Sequence, residues 1–310
     1  MKGTIPLACP RCHTTLERVG ETKLRCPTDE LLFLQIEGIW RMFLPEREKY
    51  FAHFIRDYET IRLAEGRTSS DKSYYRKLPY CDLTGPLLAD WRIRAASFDA
   101  FIKNVIIPSE IQSAHPLKIL DLGAGNGWLS NRLALRNHDV AAIDLTINDF
   151  DGLGCHRFYD SIFMSIQAEF DHLPFPDSSA DVTLFNASLH YSINIIETLR
   201  EALRTLQTSG LLVILDSPIY HNPISGDQMV REREAAFTRQ YGFPSNSLPS
   251  TNYLTYAKLE ESAKDLHLIW KFYTPLYNLR WALRPISAYL LGRREPAKFH
   301  IIVGKRRASK

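Results

Sequence analysis

The sequence predicts an α/β fold, a mostly parallel sheet with helices on both faces, preceded by a small β-ribbon. Three observations lead there. Residues 117–128 (Leu-Lys-Ile-Leu-Asp-Leu-Gly-Ala-Gly-Asn-Gly-Trp) run as a short apolar strand into an acid and three alternate glycines. Further apolar runs at 140–144, 165–168, 181–186 and 211–216 each end in or lead into a polar residue, the pattern of parallel strands that meet a ligand at their carboxyl edge. Ahead of them, Cys9-Pro10-Arg11-Cys12 and Cys26-Pro27-Thr28-Asp29 read as two knuckles of a ribbon.

Composition sets the bounds. The 310 residues are 45% hydrophobic and 24% charged, enough for one sizeable core with small additions. A net charge of +3 neither demands nor excludes a nucleic-acid partner. Residues 1–10 lack the apolar core of a secretory signal, and no apolar run approaches the ~20 residues of a membrane span, so a cytoplasmic location is expected. Five cysteines in such a chain suit reduced thiols or metal ligation better than disulfides.

At the central turn, Gly123, Gly125 and Gly127 lack a Cβ, so the backbone can take φ > 0 and a ligand can lie against it. A helix over about 126–137 then points its N-terminal amides into the same space. The spacing is acid-x-G-x-G-x-G, not the G-x-G-x-x-G of dinucleotide sites. It resembles motif I of the class I S-adenosylmethionine (SAM) methyltransferases.

That resemblance implies a seven-stranded, mostly parallel sheet and a cofactor site built in order along the chain. Asp121, Gly123, Ala124, Gly125 and Gly127 would form its turn. Asp144, with Leu145 after it, stands about 20 residues on, where a ribose-binding acid is required. Glu169-Phe170 looks like the acidic adenine loop, and Asn186, opening the segment Ala187-Ser188-Leu189-His190-Tyr191, resembles motif IV beside the reactive methyl.

The rest of the chain is arranged around this unit. Residues 1–45 are expected as a zinc-ribbon-like domain, similar to the Trm112-like domains fused to some bacterial methyltransferases and to the ribbon of large-subunit rRNA guanine-N1 methyltransferases. Cys9, Cys12 and Cys26 supply three thiolates for zinc. Asp29 stands where a fourth cysteine would, so Asp29 completes the site, His13 substitutes, or the ribbon stands without metal. Residues 46–115 are expected as a helical linker or lid, with helices at 45–65 and 85–107. The tyrosine-rich segment between them reads either as a lid or as a linker anchored by its tyrosines. Residues 116–310 form the SAM-binding domain, with substrate-pocket insertions at about 217–254 and 275–296. The second insertion carries an amphipathic helix with Arg280, Trp281 and Arg284.

Methyl transfer from a sulfonium is an in-line displacement, so holding the reactants in near-attack geometry supplies most of the catalysis. Where the nucleophile must lose a proton, the candidates at the carboxyl edge are His190 and Tyr191 after the fourth strand and Asp216, Tyr220 and His221 after the fifth, with His190, Tyr191 and His221 taken as the catalytic set. The reading is a SAM-dependent methyltransferase acting on a small-molecule oxygen, nitrogen or carbon nucleophile. RNA base methylation and a non-catalytic SAM- or S-adenosylhomocysteine-binding scaffold are the alternatives. Against RNA, the loop at 186–189 is Asn-Ala-Ser-Leu, not the Asn-Pro-Pro-Tyr type of exocyclic amine methylation.

Overall fold

The computed structural model describes residues 5–69, 71–245, 248–277 and 279–307. Strands β1 (Glu17–Arg18), β2 (Lys23–Arg25), β3 (Leu32–Ile36) and β4 (Ile39–Arg41) form an antiparallel ribbon, and helices α1 (Pro45–Ala64), α2 (Lys72–Lys77) and α3 (Leu88–Phe101) follow. The main unit then alternates: α4 (Ile107–Gln112), β5 (Lys118–Leu122), α5 (Trp128–Ala134), β6 (Asp139–Asp144), β7 (Met164–Gln167), β8 (Ala180–Asn186), α6 (Ile195–Thr205), β9 (Leu206–Leu215). It closes with β10 (Ile219–Tyr220), α7 (Pro223–Tyr241), β11 (Leu254–Thr255), α8 (Tyr256–Asp265), β12 (Leu268–Tyr273), α9 (Leu279–Ala282), α10 (Arg284–Leu290) and β13 (Ile301–Arg306).

Seven of these strands lie in the order β7-β6-β5-β8-β9-β13-β12. The first five are parallel, and β13 and β12 close the edge antiparallel, as expected of the class I fold. Side-chain alternation explains why both faces carry helices. On β9, Leu212 and Ile214 enter one core while Val213 and Leu215 enter the other, and Leu120 and Ile119 of β5 divide the same way.

The ribbon is not set apart from this sheet. Strand β4 pairs in parallel with β7, from Ile39 opposite Ser165 to Arg41 opposite Gln167, so eleven strands form one sheet among the described residues. Cys9, Phe33, Trp40 and Met42 share a core with Leu173 and Phe175, and the Ala8 amide donates to the Pro174 carbonyl at 3.0 Å.

Several boundaries differ from the sequence reading. The second long helix does not stop before Pro108; it passes through a π-helical turn at Ile102–Ile106 into α4, where Pro108 occupies the first turn and needs no N–H partner. Ser209-Gly210, a dipeptide with the local chemistry of a helix stop, lies inside β9, which begins at Leu206. The helix expected over 276–291 is two short ones, α9 and α10, broken where Pro285 opens the second. The turn helix α5 ends at Ala134. Between α1 and α3, Tyr74 and Tyr75 are buried, with the Tyr75 hydroxyl donating to the Phe150 carbonyl at 2.7 Å, so these tyrosines anchor the segment to the core. No described helix is long and apolar enough to cross a membrane.

Candidate active site

A cavity of about 600 Å³, within the range of small-molecule sites, opens at the carboxyl ends of β5, β6, β8 and β9. Its floor is the glycine turn. Gly123, Gly125 and Gly127 all have left-handed φ, of 77°, 55° and 78°, and the first two line the cavity with Ala124. Asp144, at the end of β6, is pinned by three donors: the Gly125 amide at 2.8 Å, the Thr146 amide at 2.8 Å and the Thr146 hydroxyl at 2.7 Å. Burial raises its pKa and these hydrogen bonds only partly offset it. Leu145 lies beside it on the wall.

Asp121 is different. It is fully buried behind the turn, where it accepts from the Ser130 hydroxyl at 2.7 Å, and its other oxygen has no partner. Burial pushes it up to about 7. It does not line the cavity, so it ties α5 to β5 and is not part of the wall, contrary to the expectation that it faces the cofactor.

Glu169 and Phe170 line the opposite wall, and Glu169 is already engaged. Arg47 of α1 meets it with a two-pronged fork, Nε to Oε1 at 2.6 Å and a terminal nitrogen to Oε2 at 2.5 Å, and His172 Nδ1 lies 2.9 Å from Oε1. Burial pushes the Glu169 carboxyl up, but His172 and Arg47 outweigh it and hold it below the usual range. Fifteen residues along the same helix, Arg62 pairs with Asp151. With Phe51, Phe54 and Tyr58 on the wall, α1 thus lies over the cavity and is clamped at both ends. Sequence reasoning missed Arg47 and Arg62. Their partners lie 122 and 89 residues away, so no local spacing signals them.

The far wall holds the proton-transfer candidates. Ala187 and Asp216, just beyond β8 and β9, have φ of 55° and 49°, a conformation that costs a non-glycine residue of order 1 kcal/mol and clusters at functional sites. Asn186 lines the cavity. His190 is buried, with Nδ1 3.3 Å from the Ser217 hydroxyl, and its carbonyl accepts from the Asn252 amide at 3.1 Å. Burial, then the charges of Arg233 and Arg94, push His190 down to about 3. It is therefore neutral near pH 7 and a weak base, suited to positioning. Tyr191 packs on His190 with ring centres 4.5 Å apart and also lines the cavity. His221 does not: it is exposed, stacked on Tyr256 at 4.1 Å and 3.1 Å from Lys298, so the structure removes it from the candidate bases.

The His190 environment predicts an acid limb in stability. Its folded pKa lies below the unfolded value near 6.5, so stability is full above about 6.5 and falls as the pH drops toward about 3. Thermal melts of His190→Gln are expected to show a shallower decline over that window than the parent.

In the ribbon, one donor atom each from Cys9, Cys12, Cys26 and Asp29 lie within 4.8 Å of one another. Cys12 and Cys26 sulfurs are 3.4 Å apart, and Cys9 Sγ is 3.2 Å from Asp29 Oδ2. A tetrahedral zinc with bonds of about 2.3 Å to sulfur sets donor separations of about 3.7 Å, so the set fits a closed S₃O site. His13 turns away toward Glu201, at 3.8 Å.

The family described as "Methyltransferase domain" matches residues 120–214, from the central strand to β9. Over those residues the chain matches a methyltransferase domain, and its sheet has the class I methyltransferase fold. Over 135 residues it is 27% identical to a malonyl-[acyl-carrier protein] O-methyltransferase of Buchnera aphidicola subsp. Baizongia pistaciae, covering 42% of this chain and 53% of that protein, so the match spans about half the relative's length. Among solved structures, the geranyl diphosphate methyltransferase in complex with GPP and sinefungin superposes with a TM-score of 0.52 at 17% identity, over 72% of this chain and 82% of that one. The matched segment of the methyltransferase domain contains the glycine turn, Asp144, Glu169, Asn186 and His190, while α1 and α7 lie outside it.

Proposed function

We propose that this chain is a SAM-dependent methyltransferase acting on a small molecule. The observation that carries the reading is the cavity itself, where the glycine turn, Asp144, Glu169 and Asn186 share one space with His190 and Tyr191. SAM suits the near wall: Asp144 would accept from the ribose hydroxyls, and Glu169 with the Phe170 backbone would face adenine. The bound sulfonium supplies an electrophilic methyl group. The chain's own residues bind, orient and exclude water. Helix α1 covers the cavity, Tyr58 and Tyr191 stand edge to face at 6.2 Å, and His190 positions the acceptor without taking its proton. The O-methyltransferase relative supports methyl transfer as the reaction.

Calorimetric titration of the purified chain with SAM, S-adenosylhomocysteine and NAD tests this reading. Micromolar binding of the two adenosyl ligands without NAD binding is expected. Binding of NAD alone would overturn it.

The ribbon is proposed to hold one structural zinc on Cys9, Cys12, Cys26 and Asp29, because a closed four-donor site leaves no open position for chemistry. Elemental analysis is expected to give one zinc per chain. A strong chelator or Cys26→Ser should melt the ribbon and weaken its β4–β7 junction, and metal-free protein with an unchanged melt would exclude the site.

A further inference from the structure

Three arginines line the cavity from three separate elements, Arg94 from α3, Arg233 from α7 and Arg284 from α10, and the charges of Arg94 and Arg233 reach His190. Two of them, Arg94 and Arg284, have no ion pair among the described residues. Arg94 makes no hydrogen bond or ion pair among the described residues and only stacks on Trp91, its guanidinium carbon 5.2 Å from the ring centre. Arg284 likewise stacks on Trp281 at 4.0 Å. Arg233 donates to Asn252 at 2.9 Å and lies 3.6 Å from Glu234, while its Nε is buried without a partner.

The other cavity-lining arginines are paired, while Asp144 and Asp171 line the same cavity with hydrogen bonds and no ion pair among the described residues. Arg62 pairs with Asp151, Arg67 with Glu65, Arg294 with Glu232, and Glu169 with Arg47. Asp216, within electrostatic reach of Arg94, accepts from the Ser97 hydroxyl at 2.6 Å and has no ion pair within 4.0 Å among the described residues. Arg94 and Arg284 are half-buried without an ion pair among the described residues, so a ligand that brings negative charge offsets the cost of desolvating them. Met229, Leu248, Trp281 and Phe299 add an apolar wall to the same cavity.

We propose that the acceptor site binds an organic acid with an apolar body, its carboxylate held between Arg94 and Arg233 beside His190 and its body toward Trp281 and Arg284. Planar guanidinium forks match a carboxylate in two-pronged geometry. Asp216 in the same space disfavours a second negative charge, which selects a monoanion over a phosphate ester. This inference rests on the methyltransferase reading and deepens it.

Octanoate, octyl phosphate and octanamide are titrated into the 310-residue chain saturated with S-adenosylhomocysteine, whose own binding is measured first on the same sample. Octanoate is expected to bind at least about tenfold tighter than octanamide and tighter than octyl phosphate. Arg94→Gln and Arg233→Gln are each expected to weaken octanoate about tenfold or more while retaining S-adenosylhomocysteine affinity. Equal binding of octanamide, or octanoate binding that survives both substitutions, overturns the proposal. Tighter binding of octyl phosphate replaces the carboxylate with a phosphate. Loss of S-adenosylhomocysteine affinity in Arg94→Gln with octanoate binding intact transfers that arginine to the cofactor. If the parent fails to bind S-adenosylhomocysteine at all, the underlying methyltransferase reading fails, whereas S-adenosylhomocysteine binding without octanoate binding overturns this inference alone.

Discussion

Asp144→Ala is expected to weaken S-adenosylhomocysteine binding by about a hundredfold, from the loss of charge-assisted hydrogen bonds of about 1.5–3 kcal/mol each to the ribose. The side chain has a second duty that adds to the effect. It holds the Gly125 amide at 2.8 Å and both donors of Thr146, so its removal frees the glycine turn on which the cofactor would rest. Asp144→Asn separates the two duties. One amide oxygen can still take the Gly125 or Thr146 donors, while the negative charge is gone, so Asn is expected to fall between Ala and the parent. Calorimetry reads the change directly, and an affinity for Asp144→Ala within about threefold of the parent would remove Asp144 from the ribose contact.

Gly123→Ala is expected to destabilise the fold by about 2–4 kcal/mol and to abolish S-adenosylhomocysteine binding. Two costs add. The backbone sits at φ 77°, where a Cβ is disfavoured by roughly 1 kcal/mol. The new methyl carbon would also lie 2.3 Å from Ser188 Cβ, a distance that forces the β8 loop outward. Ser188 cannot swing aside freely, because its hydroxyl donates to the Leu122 carbonyl at 2.5 Å. Gly125→Ala is the control. Its φ of 55° carries the same conformational cost, but the nearest atom to an added Cβ is the Asp151 carbonyl oxygen at 3.7 Å, an ordinary contact. Denaturant unfolding should therefore show about 1 kcal/mol for Gly125→Ala. Equal losses at the two positions would show that the Ser188 contact carries no energy.

Much of this fold is legible in the chain because its signals are local. A strand buried on both faces reads as an unbroken apolar run, and a turn with positive φ demands glycine, so 117–128, 140–144 and 211–216 declare themselves. Helix limits are legible where a capping side chain marks them. Asn194 accepts from the Ile196 and Glu197 amides at the start of α6, and Thr255 does the same for Lys258 in α8. The signals fail where one residue type serves two ends. Ser209-Gly210 resembles a helix stop yet lies within β9, in the register shift between the Ala180–Leu206 and Val182–Leu211 pairs, where the strand on either side is held by β8. Pro108 resembles a break yet opens a further helical turn.

The sequence by itself determined the parallel sheet, the glycine turn, the acids at two strand ends and the cysteine cluster, because period, spacing and turn chemistry act over a few residues. Only the tertiary structure decided which groups meet. It joined the ribbon to the sheet through β4 and β7, laid α1 across the cavity with Arg47 on Glu169, turned Asp121 inward and His221 outward, and brought Arg94, Arg233 and Arg284 from three helices to the lining of one cavity. Charges meet across about a hundred residues of chain at distances of a few ångströms, and the strength of each meeting depends on the burial that the whole fold imposes.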